Sequence, residues 1–417
     1  MGTDREFDIV LYGATGFVGK LTAAYLAKSG ADARIALAGR SEDKLLDVRR
    51  LLGDAAQSWP VIVADSSDPS SLDAMVARTQ VVVSTVGPYL RYGLPLVAAC
   101  AAAGTDYADL TGETLFVREC IDLHHKQAVD TGARIVNSCG FDSIPSDLTV
   151  FALHRQAERD NAGELLDTNL VVRQLKGGIS GGTAASGMEL MRVVSEDPEA
   201  RRLMDDPYTL TPDRGAEPEL GEQPDLRWRR GGEIAPELSG YWVAPFGMAM
   251  VNTRIVRRSN ALLGYSYGRR LAYAEQMSVG NSVAAPVAAA VATAGNVAAV
   301  AIGSRVLHRL PDRLIDRITP KPGTGPSERV RDNGQYTVET YTTTTTGARY
   351  RASMSQKGDP GYKATSVLLG ESALALAFDR DRLTDLRGVV TPAAAMGDAL
   401  LARFPAAEVL LETTRLA

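Results

Sequence analysis

Cysteine and histidine are scarce, at three and four residues in a chain of 417. Cys100, Cys120 and Cys139 form no Cys-x-x-Cys pair, and His124, His125, His154 and His308 give no ligand spacing. That pattern argues against a disulfide framework or a zinc site and fits buried thiols in a reducing, cytoplasmic setting. His124 and His125 fall in a charged stretch that reads as a solvated helix face. Excess positive charge is also missing: 45 Lys and Arg stand against 50 Asp and Glu, a net charge of −5. A nucleic-acid-binding surface is therefore disfavoured, and the basic patch Arg227, Arg229 and Arg230 around Trp228 reads as a loop. Met1–Phe7 is polar and leads straight into a strand pattern, so no leader peptide is expected.

One stretch lacks charge altogether. Gln276–Ser304 contains no Asp, Glu, Lys or Arg, and its length could span a bilayer. Alanine dominates it, however, and Gly280, Asn281, Pro286, Gly295 and Asn296 interrupt it, so its transfer energy is weak. It reads as one or two Ala-rich helices packed inside the protein or against a partner. The other reading is a peripheral lipid or membrane-surface contact.

What the chain does have is a glycine turn in a telling context. Asp8–Gly19, DIVLYGATGFVG, is an apolar run that ends in three glycines and passes at once into a helical pattern over Phe17–Lys28. Gly13, Gly16 and Gly19 hold the spacing of a dinucleotide-binding turn. Gly13 allows the sharp turn, Gly16 lets the backbone approach a pyrophosphate, and Gly19 lets helix and strand pack closely. Thr15, Phe17 and Val18 lie between them, where backbone N–H groups at a helix N-terminus would face phosphates.

The second strand pattern ends in Gly39-Arg40-Ser41, where an NAD site usually carries an acid for the ribose hydroxyls. Arg40 offers instead a planar cation suited to a 2′-phosphate, and Ser41 a hydroxyl donor. The expectation is NADP(H). The alternative is a solvated Arg40 with Ser41 capping the next helix. Asp65 follows the third strand, placed either to accept from an adenine amino group or to cap the helix beyond it. Val86, Gly87 and Pro88 follow the fourth strand, on the edge where dinucleotides lie in open α/β sheets.

Apolar strand runs alternate with helical spacing up to Asn137, as in a parallel sheet covered on both faces. The fold class expected is α/β: an N-terminal doubly wound Rossmann domain over 1–150 and a second α/β, mixed-sheet domain over 151–379. Periodicity is lost across 197–239, which reads as a lid loop. The β-branched stretch Tyr336–Ser355 reads as strands, with Thr342–Thr346 on a sheet surface.

In this order, GATGFVG (13–19), AGR (38–40), VGPY (86–89), YADLTGE (107–113), GFDSIPSD (140–147), GGISGGT (177–183), PFGMAMVNTRIVRRSN (245–260), GDPGYKAT (358–365) and GVVTPAAAMG (388–397) resemble the saccharopine dehydrogenase-like oxidoreductases. Within that group the chain is most similar to the trans-acting enoyl reductases of actinobacterial lipid and polyketide synthesis. The resemblance implies NADP(H), a second domain over the nicotinamide, and a C-terminal segment, 380–417, packed back on the first domain. It also implies an acyl or polyketide thioester substrate, presented by the carrier domain of a megasynthase.

Reducing an enoyl thioester requires a proton donor beside the nicotinamide. The candidates are Tyr89, Tyr92 and Asp142, with Tyr107 and Ser143 as further polar groups. For Asp142 the alternative is an N-cap. The 177–183 run could offer backbone N–H groups to a substrate oxygen or be a simple turn. None of the 14 tyrosines has Lys four residues later, which sets aside short-chain dehydrogenase chemistry. Two rivals remain. One is a saccharopine reductase-type enzyme acting on an amino-acid adduct, with Arg254, Arg257 and Arg258 reading its carboxylates. The other is a non-catalytic NADP(H)-binding regulator.

Overall fold

A computed structural model describes residues 5–177, 181–225, 229–293 and 325–417. The strands are β1 (Phe7–Tyr12), β2 (Ile35–Gly39), β3 (Val61–Val63), β4 (Thr79–Ser84), β5 (Asp106–Asp109), β6 (Arg134–Val136), β7 (Leu165–Lys176), β8 (Trp242–Pro245), β9 (Ala272–Gly280), β10 (Gln335–Thr344), β11 (Arg349–Lys357), β12 (Gly388–Val390) and β13 (Leu410–Leu416). Among the described residues they form a seven-stranded sheet, β12-β6-β5-β4-β1-β2-β3, and a six-stranded sheet, β13-β11-β10-β7-β9-β8.

The first sheet is parallel throughout, a Rossmann sheet. Its strands are continuous apolar runs because both faces are covered. Ile9 and Leu11 pack into one core, while Phe7, Val10 and Tyr12 pack into another. The second sheet is mixed, parallel at β7–β9 and antiparallel elsewhere. The core on the Ile9 side also contains Tyr336, Met354 and the Thr365–Phe378 helix. The two sheets therefore share a core.

Residues 380–417 divide between the sheets. β12 extends the Rossmann sheet beside β6, whereas β13 pairs with β11 on the second sheet. The stretch expected to form Ala-rich helices begins differently: Gln276–Gly280 is the end of β9, and 285–293 is helical. The rest of that stretch, 294–304, lies outside the described residues. Among those described, no helix is long and apolar enough to cross a membrane.

Two further expectations are corrected. The threonine run is not a plain sheet surface: Thr342 and Thr344 are buried, as is Thr340 before them. Thr340 and Thr342 pair hydroxyl to hydroxyl with Thr149 and Thr168, at 2.7 and 2.6 Å. Nor is 197–239 a free lid. It contains the helix Pro198–Asp205 and shorter helical turns, and buried arginines of the Ala249–Leu262 helix hold it from beneath. Arg254 binds Asp225 and the Met204 carbonyl, both at 2.6 Å. Arg257 binds the Pro207 carbonyl at 3.1 Å, and Arg258 binds the Leu210 carbonyl.

Candidate cofactor and active site

The glycine turn explains its own sequence. Gly13 has φ +87°, a backbone that side chains disfavour. Its N–H donates to the Ala38 carbonyl at 2.9 Å, and the Gly16 N–H donates to the Gly13 carbonyl at 2.9 Å. A Cβ on Gly19 would stand 2.2 Å from the Gly13 carbonyl oxygen, so strand and helix touch there. Gly16 differs, since a Cβ would meet nothing nearer than 3.2 Å. The protein's own packing thus resists a side chain far less at 16, where a few tenths of an ångström of movement would relieve the contact, than at 19. Gly16 is also the N-cap, and no side chain caps the helix. The Phe17 and Val18 amides stand at its first two positions, where no intrahelical acceptor exists. Thr15, Gly16, Phe17 and Val18 are all half-buried along this turn.

Arg40 is exposed and forms no ion pair among the described residues. Ser41 occupies the N-cap of Glu42–Leu52, but its hydroxyl makes no capping bond. At the end of β2 the Ser41 hydroxyl makes no cap, and the Arg40 charge acts on the nearby Asp65 and Tyr12 without forming an ion pair. Asp65 is held below the usual carboxylate range by the Ser67 amide and hydroxyl, at 2.9 and 2.8 Å. The cap of the following helix is Asp68, which accepts from the Ser70 amide. These features fit a phosphorylated dinucleotide: an uncapped helix N-terminus for the pyrophosphate, and an exposed guanidinium and a non-capping hydroxyl for the 2′-phosphate.

Val86, Gly87 and Pro88 form the next rim of the same sheet edge. Thr85 ties this turn to the glycine turn, its amide donating to the Tyr12 carbonyl at 3.0 Å and its hydroxyl to the Gly13 carbonyl at 3.1 Å. Gly87 is exposed. Tyr89 requires a correction as a proton donor. It is buried, and its hydroxyl donates to the Ser84 carbonyl at 3.0 Å. Burial and the neighbouring Asp109 carboxylate push it well above the ordinary tyrosine range. Its hydroxyl and amide are both committed to protein partners around the turn. Tyr107 is fully buried within β5 and is likewise removed from the cleft. Tyr92 is exposed, with the Arg91 guanidinium 5.6 Å from its ring.

Asp142 is the third of the expected proton donors. It follows β6, half-buried, and is not the N-cap of Ile144–Arg159; Ser143 takes that position without a side-chain capping bond. A Cβ built on Gly112 would stand 3.6 Å from Asp142 Oδ2 and 3.3 Å from Met248 Cε. With this apolar neighbour and no counter-charge, desolvation pushes its carboxyl up to about 6. Ser143 is buried and turned the other way, donating to Asn252 Oδ1 at 2.9 Å. The Asn252 amide in turn donates to Glu275 Oε2 at 3.0 Å.

Glu113 was not singled out from the sequence. It accepts from the Tyr89 and Leu90 amides, each at 2.8 Å, and from the Ser186 hydroxyl. Its signal lay in the YADLTGE motif, but no spacing rule links Glu113 to a turn 24 residues away. Of the 177–183 run, residues 178–180 lie outside the described residues. The Gly181 amide donates to the Tyr362 hydroxyl at 2.9 Å and is not free for a substrate.

Comparison with known proteins fits this geometry. Residues 9–136 match the saccharopine dehydrogenase NADP-binding domain. A Mycobacterium tuberculosis protein that bears the trans-acting enoyl reductase name provisionally is 68% identical, over 100% of this chain and 99% of its own. The trans-acting enoyl reductase of Mycobacterium leprae is 61% identical over 99% of both chains. Saccharopine dehydrogenase (L-Glu forming) of Saccharomyces cerevisiae shares the fold at 15% identity, with a TM-score of 0.53 over 98% of this chain and 99% of that one. The chain belongs to the trans-acting enoyl reductases, NADP(H)-dependent oxidoreductases built on the saccharopine dehydrogenase fold.

Proposed function

We propose that this protein reduces the carbon–carbon double bond of an acyl or polyketide enoyl thioester in lipid synthesis, drawing on NADPH. The observation that carries this reading is the fate of Arg254, Arg257 and Arg258. All three are buried and bound to Asp225 or to the backbone carbonyls of Met204, Pro207, Leu210, Tyr273 and Val389. A saccharopine-type adduct would need cations for its carboxylates, and these arginines are already committed. Removing one from its carbonyls would leave buried acceptors unpaired, at roughly 1–3 kcal/mol each. An acyl chain asks only for an apolar wall.

Bound NADPH supplies a hydride for the substrate β-carbon. Phe17 and Val18 offer amides to its pyrophosphate, Arg40 and Ser41 bind the 2′-phosphate, Asp65 accepts from the adenine amino group, and Val86–Pro88 support the nicotinamide ribose. Asp142 holds the proton destined for the α-carbon. A carboxyl titrating near 6 rather than at its ordinary value is protonated roughly a hundredfold more often at neutral pH. That makes it a usable acid. Tyr92 stands at the mouth of the same edge as a second donor. The thioester arrives on the carrier domain of a megasynthase.

The test offers the purified protein NADPH with a panel of enoyl thioesters and, separately, with saccharopine-type adducts. Saturated thioester as the product supports the proposal. Turnover of the adducts alone, or NADPH binding without turnover of either class, would replace it with one of the two rivals.

A further inference from the structure

Glu113 is buried at 1% exposure yet carries a carboxylate, so its partners decide what it does. It is the N-cap residue of Thr114–Thr131, but its side chain makes no capping bond there. It reaches across to the short helix Tyr89–Tyr92, whose own N-cap is Pro88, a residue with no side-chain acceptor. Glu113 Oε1 accepts from the Tyr89 amide and Oε2 from the Leu90 amide, both at 2.8 Å. A carboxylate thus caps, with both oxygens, the helical turn that begins two residues after Gly87.

The third bond leaves the Rossmann sheet. Ser186, on the helix Gly181–Glu196 that follows β7, donates its hydroxyl to the same Oε1. That hydroxyl is also beside Gly87, where a Cβ would lie 3.8 Å from Ser186 Oγ. Glu113 therefore joins the turn after β4 to the helix that follows β7 through one buried carboxylate. Its surroundings push it above the ordinary glutamate range through burial, against the pull of these three donors.

We propose that Glu113 and Ser186 are a positioning pair, setting the Gly181–Glu196 helix over the nicotinamide end of the cofactor so that the acyl double bond meets a fixed hydride donor. The inference rests on the reading of Val86–Pro88 as the cofactor turn. Neither residue reacts; both act through the geometry of that turn.

Ser186→Ala tests it without disturbing the cap, because both amides keep Glu113. Ser186→Thr restores the hydroxyl. With crotonyl thioester as the probe substrate, Ser186→Ala lowers kcat at least tenfold, leaves the NADPH KM within twofold and lowers Tm by no more than the few degrees that one lost buried hydrogen bond costs. Ser186→Thr returns kcat to within threefold of the wild type. Amide exchange gives a readout that needs no turnover. NADPH slows exchange across 185–196 in the wild-type protein, and Ser186→Ala abolishes that protection. Wild-type kcat in Ser186→Ala, equal losses in the Ala and Thr variants, or equal NADPH protection in wild type and Ser186→Ala would each overturn the pair. If the wild-type protein binds NADPH but reduces no enoyl thioester, the proposed reaction fails, and the exchange experiment alone decides the pair.

Discussion

Gly16 and Gly19 face the same oxygen at different distances. A Cβ on Gly19 would lie 2.2 Å from the Gly13 carbonyl oxygen, whereas one on Gly16 would lie 3.2 Å from it. The fold forbids a side chain at 19 and only crowds one at 16, the position proposed to face the pyrophosphate. Gly19→Ala is expected to destabilise the protein by roughly 1–3 kcal/mol or more, because the oxygen it meets is backbone. Gly16→Ala should cost under about 1 kcal/mol yet weaken NADPH binding at least tenfold. Thermal melts with nucleotide titrations check both. Equal destabilisation by the two substitutions, with NADPH affinity kept at 16, would break the distinction.

Arg40 makes no ion pair among the described residues, so its removal should cost the fold almost nothing. A charge-assisted hydrogen bond to phosphate contributes about 1.5–3 kcal/mol. Arg40→Ala should therefore weaken NADPH roughly 10–100-fold and leave NADH unchanged. Calorimetric titration of both nucleotides decides this, and a parallel loss would remove Arg40 from the 2′-phosphate.

For Asp142 the expected signature is a pH profile. The acid form is the working form and its carboxyl titrates near 6, so kcat should fall as pH rises from 6 to 8. Asp142→Asn should lower kcat by roughly 100-fold, in the range of a lost general acid, and flatten that limb. An Asp142→Asn variant with the wild-type slope would assign the proton to another group.

Glu275 gives a stability prediction with an unusual sign. It is fully buried beneath Asn252 and Tyr273, and desolvation pushes it up to about 7. A carboxyl whose folded pKa is raised adds stability when protonated and loses it as pH climbs from its unfolded value toward 7. Glu275→Gln imitates the protonated form. Relative to wild type it should gain stability between pH 5 and 7, by roughly 2 kcal/mol on linkage arithmetic. Denaturation curves at both pH values test this; a constant offset between the proteins would contradict it.

The Rossmann half was legible because its signals are local. Phe17–Lys28 is a helix over the span its spacing predicts, and the apolar runs up to Asn137 are strands of one parallel sheet. The second half hid its elements behind buried polarity. The helix Ala249–Leu262 carries Asn252, Arg254, Arg257, Arg258 and Asn260 inside the protein, and β9 buries Glu275 and Gln276. The burial of Asn252, Arg257 and Arg258 is explained only by partners 16 to 131 positions away. β12 is three residues long and gains its identity only by pairing with β6. At the site, glycine spacing and Arg40 were readable from neighbours in sequence. The Glu113 cap and the sequestered hydroxyl of Tyr89 required the folded chain.

The central claim is that NADPH delivers its hydride to the double bond of an enoyl thioester at this sheet edge. Single-turnover reduction with NADPH deuterated in turn at each C4 position, followed by mass analysis of the product, tests it most directly. One of the two labelled cofactors should give a saturated thioester with one deuterium, at the β-carbon. NADPH oxidation without saturated product, or saturated product free of deuterium with both labels, would contradict the account.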